Sequence, residues 1–469
     1  MAKTKKSPAS VSPLPDSGTS GSPELVPQPL ASLGHLATQL VQRLQDAGFA
    51  AFWVGGCVRD FLLGRQPDDY DIVTSALPDQ IEKLFPRTIP VGRKFGVIIV
   101  LENGHQFQVA TFRAEGDYRD GRHPEKVAFG DAVADANRRD FTVNGLFYDP
   151  VHQQIADWVG GQQDLKARLI RTIGSPAERF AEDHLRLLRA VRFAAQLQFD
   201  VEPETFTAVK THAEKIRQIS PERIREELIK LFRAPYAARG LELLHLSGLL
   251  QYILPEIAAT LTCDQSPDFH PEGSVFNHLV LMFRHLPQDA DPSLPWAALL
   301  HDVAKPVTAS HDPETGSIHF YGHERIGAEM AEKILERLRF PRKQIEDIVL
   351  AVRCHMQFKD VPEMRKSTLR RLLLRPTFPL ELELHRLDCL GSHGRLDIYE
   401  FLLAAAADLD QKPEIRPPLL TGADLIELGI QPGPAMGALL AEIREKQLQD
   451  ELKTAAEARA WAAKQVKNL

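Results

Sequence analysis

The sequence predicts an α+β N-terminal region with a mixed sheet, followed by all-α regions that continue to the C-terminus. Before about residue 155, short apolar runs typical of strands alternate with helical segments. After residue 164, apolar residues recur at helical spacing. The chain has 469 residues, 43% of them hydrophobic, so it is long enough to fold into several domains.

The N-terminal segment differs in composition from the rest of the chain. Residues 1–28 are rich in Pro, Ser and Gly and have no apolar run, so we expect a disordered tail. Leu33, Leu36, Leu40 and Leu44 then recur at the spacing of one helix face. This spacing predicts that the ordered part begins with an amphipathic helix.

Four strands are predicted after this helix. They are the segments AFWVGG, YDIVTS, GVIIVLE and HQFQVATF. A helix, VRDFLLG, follows the first of them directly. We therefore assign residues 29–155 to the α+β domain.

The rest of the chain is expected to be helical. Segments such as EDHLRLLRAVRFAAQLQF and PERIREELIKLFRA begin at an acidic residue or at proline, as helices commonly do. Proline-rich stretches at 267–295 and 413–418 separate these segments into groups. The expected helical regions are residues 156–262, 270–395 and 415–469.

Composition excludes several classes of protein. Cys57, Cys263, Cys354 and Cys389 share no CxxC spacing, which argues against a disulfide framework and a thiolate zinc site. No run of about 18 apolar residues occurs, so we expect a cytoplasmic protein without a membrane span. The net charge of −7 means that local patches would have to hold a nucleic-acid partner.

One segment of the α+β region contains residues that suit the binding of phosphate and of a cation. In FWVGGCVRDFLLGRQPDDYDIV, residues 52–73, Gly55 and Gly56 follow a strand and leave the backbone open to close approach by phosphate. Asp69 and Asp71 are one residue apart on the predicted strand DYDIV, so their side chains share a face. Such carboxylates repel each other unless a cation joins them, and oxygen ligands of this kind suit Mg²⁺ on triphosphate oxygens. The segment indicates a nucleotidyl-transfer site; a solvated surface turn is the alternative.

This segment resembles the nucleotidyltransferase head of the polymerase-β superfamily, in the bacterial-type family of CCA-adding tRNA nucleotidyltransferases and poly(A) polymerases. Three later segments resemble motifs of the same family in the same order. They are ATFRAEGDYRDGRHPEKVAFGD at 110–131, similar to its flexible loop, RRDFTVNGLFYDP at 138–150, and EDHLRLLRAVRFA at 182–194, similar to its nucleotide-selecting helix. The resemblance covers about residues 30–260 and the later segment LLTGADLIELGIQPGPAMGALL.

The resemblance implies a set of site residues. Asp69 and Asp71 would be catalytic and would bind Mg²⁺. The residues expected to bind the nucleotide are Gly55, Gly56, Arg59, Arg113, Arg138, Arg139, Asp140, Asn144, Asp183, Arg186, Arg189 and Arg192. The sequence departs from the family pattern at Gln108, where a third carboxylate is often found, so the metal site would rest on the two aspartates alone or use another acid.

Base selection without a template requires a protein group that mimics a Watson–Crick edge. Asp183 can accept from the exocyclic amine of cytosine or adenine, and Arg186 can donate to a ring acceptor of either base. Three residues apart on a helix, they would be neighbours on one face. An ordinary ion pair within the helix would have the same spacing.

A second set of candidate ligands lies between residues 275 and 395. Histidine and aspartate occur there on five separate predicted helices, at His278, His301, Asp302, His323, His355 and Asp388. Imidazole and carboxylate together suit a divalent ion, and six ligands would suffice for two. The order H, HD, H, H, D resembles an HD-type phosphohydrolase domain, which implies metal-assisted phosphoester hydrolysis. A structural HD fold without activity is the alternative.

A basic run offers a candidate RNA-binding patch. It comprises Lys359, Arg365, Lys366, Arg370 and Arg371. A solvated helix face would explain the same charges. The sequence thus leaves RNA contact at this run as one of two readings.

Together these features predict an enzyme that adds CCA, from CTP and ATP, to tRNA 3′ ends and carries an HD phosphohydrolase domain. A poly(A) polymerase, or an enzyme that adds only CC or only A, remains an alternative within the same class. By resemblance, the loop at 113–125 argues against CC-only addition. An alternative from another class is an HD phosphohydrolase whose head has become an RNA-binding module.

Overall fold

The computed structural model describes residues 32–114, 129–266, 271–314, 317–412 and 415–466. These residues fall into two compact units, of which the first ends at Ile173 and the second begins at Gly174. The expected disordered tail at 1–28 lies outside the described residues, as does most of the loop expected to support A addition.

The first unit combines short helices with strands, as predicted from the apolar patterns. Its helices and strands are α1 (Ser32–Asp46), β1 (Ala51–Val54), α2 (Gly56–Leu62), β2 (Asp71–Thr74), α3 (Pro78–Leu84), β3 (Thr88–Gly92), β4 (Val97–Glu102), β5 (His105–Thr111), α4 (Ala132–Asn137), β6 (Phe147–Asp149), β7 (Gln154–Ala156), α5 (Gly161–Ala167) and β8 (Leu169–Ile170).

Seven of these strands form one mixed sheet in the order β3-β4-β5-β2-β1-β6-β7. Strands β2 and β5 run parallel, whereas β1 pairs antiparallel with β2 and with β6. The rings of Trp53, Phe61, Tyr70 and Tyr148 pack together, with the Trp53 and Tyr70 centroids 4.7 Å apart. This aromatic cluster fixes the ends of β1 and β2, which the segment with Gly55, Gly56 and Asp69 connects.

The second unit is largely helical, which confirms the predicted fold class. Its elements are α6 (Pro176–Glu182), α7 (Leu185–Leu197), β9 (Asp200–Val201), α8 (Pro203–His212), α9 (Pro221–Phe232), α10 (Ala237–Leu246), α11 (Leu250–Ile253), α12 (Pro255–Ala258), α13 (Val275–Arg284), α14 (Leu294–Leu300), α15 (Lys305–Thr308), β10 (Ser310–His311), β11 (Ile318–His319), α16 (His323–Arg337), α17 (Arg342–Cys354), α18 (Lys366–Leu373), α19 (Phe378–Gly391), α20 (Asp397–Asp410), α21 (Gly422–Glu427), α22 (Pro434–Leu448) and α23 (Ala455–Val466).

Several of these helices begin where the sequence signals predict. Pro203 and Pro221 occupy first-turn positions, where the missing amide hydrogen costs nothing. Ser274 caps α13 by accepting a hydrogen bond from the amide of Asn277. Among the described residues, no helix is both long and apolar enough to cross a membrane.

One predicted helix is divided in two. The segment EDHLRLLRAVRFA was expected to be continuous, but α6 ends at Glu182 and α7 begins at Leu185. Asp183 lies between them with extended backbone angles (φ −150°, ψ 105°). The expectation that Asp183 and Arg186 share one helix face is therefore wrong.

Candidate functional site

The two candidate catalytic carboxylates lie at the start of β2. Asp71 is its first residue and pairs in register with Val54, the last residue of β1. Asp69 precedes the strand and is exposed, so only one of the two belongs to the predicted strand. Buried Tyr70 between them packs against Trp53 and anchors the turn.

The electrostatics at Asp71 suit a bound cation. Burial and the neighbouring charge of Asp69 raise the pKa of the Asp71 carboxyl to about 6, although Arg139 partly offsets them. Two carboxylates that disfavour each other's ionisation are stabilised when a cation lies between them. The donor set is all oxygen, which matches the preference of Mg²⁺.

Gln108 lies where a third ligand would be expected. Strand β5 pairs parallel with β2, with Val109 beside Ile72, and the same register continued by one residue places Gln108 beside Asp71. Gln108 is exposed. An amide rather than a carboxylate therefore stands next to the candidate metal ligands.

The two glycines form a close-packed turn. Gly55 has φ +74°, in the region that favours glycine, and a Cβ there would lie 3.3 Å from Nη1 of Arg139. Gly56 begins α2. The turn thus brings backbone close to a guanidinium group beside Asp71, and a larger residue at Gly55 would push that group away.

Arg59 is buried, whereas contact with a triphosphate would need an accessible guanidinium group. It is 3% exposed, and its guanidinium donates to Asp60 at 2.9 and 2.7 Å and to Oδ1 of Asn144 at 2.7 Å. Asn144 in turn donates to Oδ1 of buried Asp140 at 3.3 Å. These contacts favour a structural role for Arg59, which links α2 to the RRD segment, over direct contact with a triphosphate.

Asp135 was not singled out in the sequence, yet it holds the candidate triphosphate-binding arginines. Its fully buried carboxylate accepts from Arg138 Nε at 2.9 Å and from Arg139 at 3.2 and 2.9 Å. It also accepts from the backbone amide of Arg113 at 3.1 Å. The signal was available, because Asp135 precedes the two arginines by the i,i+3 and i,i+4 spacings of helical ion pairs.

The candidate base-selecting residues lie in the second unit, each with its own partner. Asp183 accepts from Nη1 and Nη2 of Arg223 at 3.3 and 2.6 Å. Arg186 forms an ion pair with Glu182 and donates to the carbonyl of Arg179 at 2.9 Å. Both are only partly exposed. The pair Asp183–Arg223 spans 40 positions and carries no local sequence signal.

The next two arginines of this segment are tied to one buried acid. Glu227 on α9 is 4% exposed and accepts from Nε of Arg192 at 2.5 Å, with Nη1 of Arg189 at 3.5 Å. Arg192 is buried, and its guanidinium also lies over the ring of Phe193 at 3.9 Å. The structure therefore favours a packing role for Arg192 over the expected contact with a nucleotide.

The six candidate ligands of the second cluster converge in two groups. His278, His301 and Asp388 form one, and Asp302, His323 and His355 form the other; within each, the ligand atoms lie within 4.8 Å of one another. Asp302 faces both groups, with Oδ2 3.1 Å from Nε2 of His301 and Oδ1 3.4 Å from Nε2 of His323. The residues fit one or two divalent ions.

The imidazoles present the same ring nitrogen to the space between them. Nδ1 of His301, His323 and His355 lies 2.9, 2.7 and 2.6 Å from a backbone carbonyl, to which it donates, so Nε2 faces the other ligands. Nε2 of His323 and Nε2 of His355 are 3.2 Å apart. Burial and neighbouring imidazoles lower the pKa of His355 to about 3, which keeps it neutral. Two imidazole nitrogens this close, beside the carboxylate of Asp302, can share a proton or bind a cation.

A buried lysine also contacts this cluster. Lys305 is 6% exposed, and its Nζ lies 2.7 Å from Oδ2 of Asp302 and 2.6 Å from Oε1 of Gln265. Its positive charge helps to hold Asp302 ionised: burial alone would raise the pKa of that carboxyl, but His301 and Lys305 keep it well below its ordinary value. Asp302 is thus an anionic ligand before any metal binds.

The structure divides the candidate RNA-binding run. Arg370 is 5% exposed and donates to the carbonyl of Leu448 at 3.0 Å and to Asp450 at 2.5 Å. Lys366 pairs with the same aspartate and Arg371 with Glu445. Lys359 and Arg365 are exposed. Three of the five charges are therefore paired with the end of α22 and the residues after it, and contact of the run with RNA stays a prediction.

Three stretches of the chain match known protein families. Residues 51–171 match the family described as "Poly A polymerase head domain", and residues 274–390 match "HD domain". Residues 198–261 match "Probable RNA and SrmB- binding site of polymerase A".

Whole-chain relatives decide the family. The CCA-adding enzyme of Levilactobacillus brevis is 33% identical over 410 residues, which cover 87% of this chain and 92% of that enzyme. The chain belongs to the family of CCA-adding enzymes. It therefore carries a nucleotidyltransferase head, as the motifs predict. With the CCA-adding enzyme of Streptococcus mutans the identity is 44%, over 48% of this chain and 56% of that one.

Solved structures of the family share the fold. The Bacillus stearothermophilus CCA-adding enzyme in complex with CTP is 28% identical, with a TM-score of 0.70 over 94% of this chain and 99% of that one. The Thermotoga maritima CCA-adding enzyme complexed with tRNA is 20% identical, with a TM-score of 0.54 over 92% of this chain and 95% of that one, and supports the fold alone.

Proposed function

We propose that this protein adds CCA, from CTP and ATP, to the 3′ ends of tRNA. The proposal rests on the paired carboxylates of Asp69 and Asp71, which lie near Arg139. It rests also on the membership of this chain in the CCA-adding enzyme family. The relative from Bacillus stearothermophilus was solved in complex with CTP, which agrees with this assignment. A tRNA substrate is the reason to expect a cytoplasmic location. We propose that the domains span residues 29–155, 156–262, 270–395 and 415–469.

The head would position the triphosphate and neutralise its charge. Asp69 and Asp71 would hold Mg²⁺, which would supply positive charge for a more acidic RNA 3′-hydroxyl and for the pyrophosphate leaving group. Arg138 and Arg139, held by Asp135, would donate to the triphosphate oxygens, and the Gly55 turn would let those oxygens approach the backbone. Most of the rate enhancement in such transfers comes from this positioning and charge stabilisation.

Nucleotide choice would depend on Asp183 and Arg186. The carboxylate of Asp183 accepts from the amino group that cytosine and adenine share, and Arg186 donates to a ring acceptor of either base. Uracil and guanine present the opposite pattern of donor and acceptor at the corresponding positions. The partners Arg223 and Glu182 would hold the two side chains at fixed orientations.

The HD domain would hydrolyse a phosphoester with one or two divalent ions. The ligands His278, His301, Asp302, His323, His355 and Asp388 would bind the metal, whose identity the ligands leave open between Mg²⁺ and a transition ion. A bound ion supplies an activated water. The protein's contribution is the set of fixed imidazole orientations described above and the burial of most of the ligands.

The transfer activity is tested by product length. Purified protein is incubated with tRNA lacking CCA, tRNA ending in CC, and an oligoadenylate, each with Mg²⁺ and labelled CTP or ATP. Addition of three residues to the first RNA and one to the second is expected. Addition of A only, to the second, would indicate an A-adding enzyme, and long A tails on the third would indicate a poly(A) polymerase. Absence of incorporation would refute the proposal for the head.

Two variants separate the sites. Replacement of both Asp69 and Asp71 by alanine should abolish transfer while phosphoester hydrolysis persists, because the HD ligands are unchanged. His301→Ala should abolish hydrolysis and preserve transfer. Loss of both activities in either protein would contradict independent sites.

A further inference from the structure

Glu272 is a buried carboxylate directly behind one of the HD ligands. Its side chain is 6% exposed, and Oε1 lies 3.1 Å from Nδ1 of His278. The other ring nitrogen of His278, Nε2, lies 3.1 Å from Oδ1 of Asp388 and so faces the ligand group. Glu272 therefore lies on the far edge of the imidazole and does not belong to the ligand group itself.

This arrangement distinguishes His278 from the other three imidazoles. Nδ1 of His301, His323 and His355 donates to a backbone carbonyl of its own segment, at Ala298, Phe320 and Val352, and the carboxylate nearest to Nδ1 of His323, that of Glu324, is 3.8 Å away. Nδ1 of His278 instead has a carboxylate at 3.1 Å as well as the carbonyl of Gly391 at 3.2 Å. A carboxylate that accepts the Nδ1 proton fixes the ring orientation and makes Nε2 a better electron donor.

The backbone around Glu272 is held in place. Its carbonyl accepts from Nδ2 of Asn277 at 3.0 Å, and the amide of Asn277 donates to the capping Ser274. Gly391 packs against the same edge of the ring, since a Cβ there would lie 3.2 Å from both Nδ1 and Cε1 of His278. Glu272 and Gly391 together therefore restrict the Nδ1 edge of His278.

The two ligand groups differ in what lies behind them. Lys305 lies 2.7 Å from Oδ2 of Asp302, and the same oxygen lies 3.1 Å from Nε2 of His301, so the positive charge of Lys305 acts on both groups. A buried carboxylate within hydrogen-bond distance of the outer ring nitrogen is found at His278 of the first group. The two groups are therefore expected to differ in affinity for a cation, in the direction set by Glu272.

We propose that Glu272 is a positioning residue of the HD site, which orients His278 so that the group His278, His301 and Asp388 binds the first divalent ion. The inference rests on the proposed metal dependence of the HD domain. It assigns a role to a residue outside the two ligand groups and an order of occupancy to those groups.

The experiment measures Mn²⁺ binding by calorimetry to the full-length chain. All proteins carry Asp69→Ala and Asp71→Ala, so that the head does not contribute. Glu272→Gln is expected to weaken the tightest binding step about 10- to 100-fold, the usual effect of losing a partner that orients a ligand. Glu324→Gln is the matched control, since Glu324 lies 3.8 Å from Nδ1 of His323, which already donates to Phe320 at 2.7 Å. It should bind Mn²⁺ like its parent.

A second readout separates positioning from mere stability. With Co²⁺ as the probe, the visible absorption spectrum at one equivalent should change in Glu272→Gln and stay unchanged in Glu324→Gln. Equal Mn²⁺ affinity and equal Co²⁺ spectra for Glu272→Gln and its parent would overturn the inference, even if the melting temperature fell. If Glu272→Gln fails to fold, Glu272→Asp, which keeps the charge, should show a smaller loss of affinity, and unchanged affinity would again overturn it. A parent that binds no ion would instead refute metal dependence of the HD site.

Discussion

Arg223 donates to both carboxylate oxygens of Asp183, with nitrogen–oxygen distances of 3.3 and 2.6 Å. The contact joins the first turn of α9 to the break between α6 and α7. A two-point contact restricts rotation of a carboxylate more than a single hydrogen bond does. In the proposed function, this geometry would direct Asp183 toward the amino group of the incoming base.

Removal of this contact should impair nucleotide selection. For Arg223→Ala we expect kcat/KM for CTP and ATP to fall about tenfold or more, because Asp183 would sample several orientations. Misincorporation of UTP should rise relative to CTP. Arg225→Ala on the same helix, whose side chain contacts the carbonyl of Arg339 instead, is the control. Equal kinetics and fidelity in both variants would show that Arg223 does not act through Asp183.

The position of Gln108 leads to a prediction about metal affinity. Because Gln108 lies beside Asp71 in the register of β2 and β5, Gln108→Glu would add a carboxylate to the candidate Mg²⁺ site. The Mg²⁺ concentration for half-maximal transfer should fall about tenfold, which corresponds to roughly 1.4 kcal/mol of added attraction. Gln106→Glu, two residues earlier on the same strand face, should have a much smaller effect. An unchanged or higher Mg²⁺ requirement in Gln108→Glu would mean that this residue does not reach the ion.

Several parts of the site could be predicted from sequence and others could not. The six HD ligands were predicted because their residue types and order are distinctive, and the structure places them in two groups. The break at Asp183 was missed because apolar spacing continues through it, so periodicity alone reports a single helix. Arg223 cannot be inferred from local pattern, because tertiary packing brings it to Asp183 from 40 positions away. Glu272 is near His278 in sequence but lies before α13, so helical periodicity does not relate the two residues.

An arginine in a sequence motif can be buried and paired with an acid instead of binding a ligand. Arg59 and Arg192 look like phosphate ligands in a motif, yet both are buried and paired with acids. A buried guanidinium must find such partners, since unpaired it would be very costly. Sequence pattern identifies the charge, but only the fold shows whether it faces a ligand or an internal acid.

Asp135 should be important for both stability and transfer. In Asp135→Asn the two arginines lose their shared counter-ion, and loss of one member of a buried charge cluster costs about 3–5 kcal/mol. Unfolding in urea and transfer kinetics measure the two effects. Asp131→Asn at the N-cap of the same helix is the control, because asparagine caps as well as aspartate does. Wild-type stability in Asp135→Asn would contradict the assignment of Asp135 as the shared partner.

The same residue predicts a dependence of stability on pH. Burial raises the pKa of the Asp135 carboxyl, but Arg139 and Arg138 more than offset this, so the pKa lies below its ordinary 3.8. The charged form is thus favoured by folding, and its contribution is present above 3.8 and is lost as the pH falls toward the lowered pKa. The difference in unfolding free energy between wild type and Asp135→Asn should be constant at neutral pH and shrink in acid. If this difference in unfolding free energy grew as the pH fell, the prediction would be wrong.

Arg370 provides the sharpest test of the basic run. Because its guanidinium is buried against Leu448 and Asp450, Arg370→Ala should lower the free energy of unfolding by about 2 kcal/mol, the range for lost hydrogen bonds to a charged group. The slope of tRNA affinity against salt should not change, since the neutralised charge releases no counter-ion from RNA. Exposed Lys359 is the comparison: if it contacts phosphate, Lys359→Ala should reduce that slope by about one and leave stability unchanged. If Arg370→Ala reduced the slope of tRNA affinity against salt and kept its stability, Arg370 would instead contact RNA.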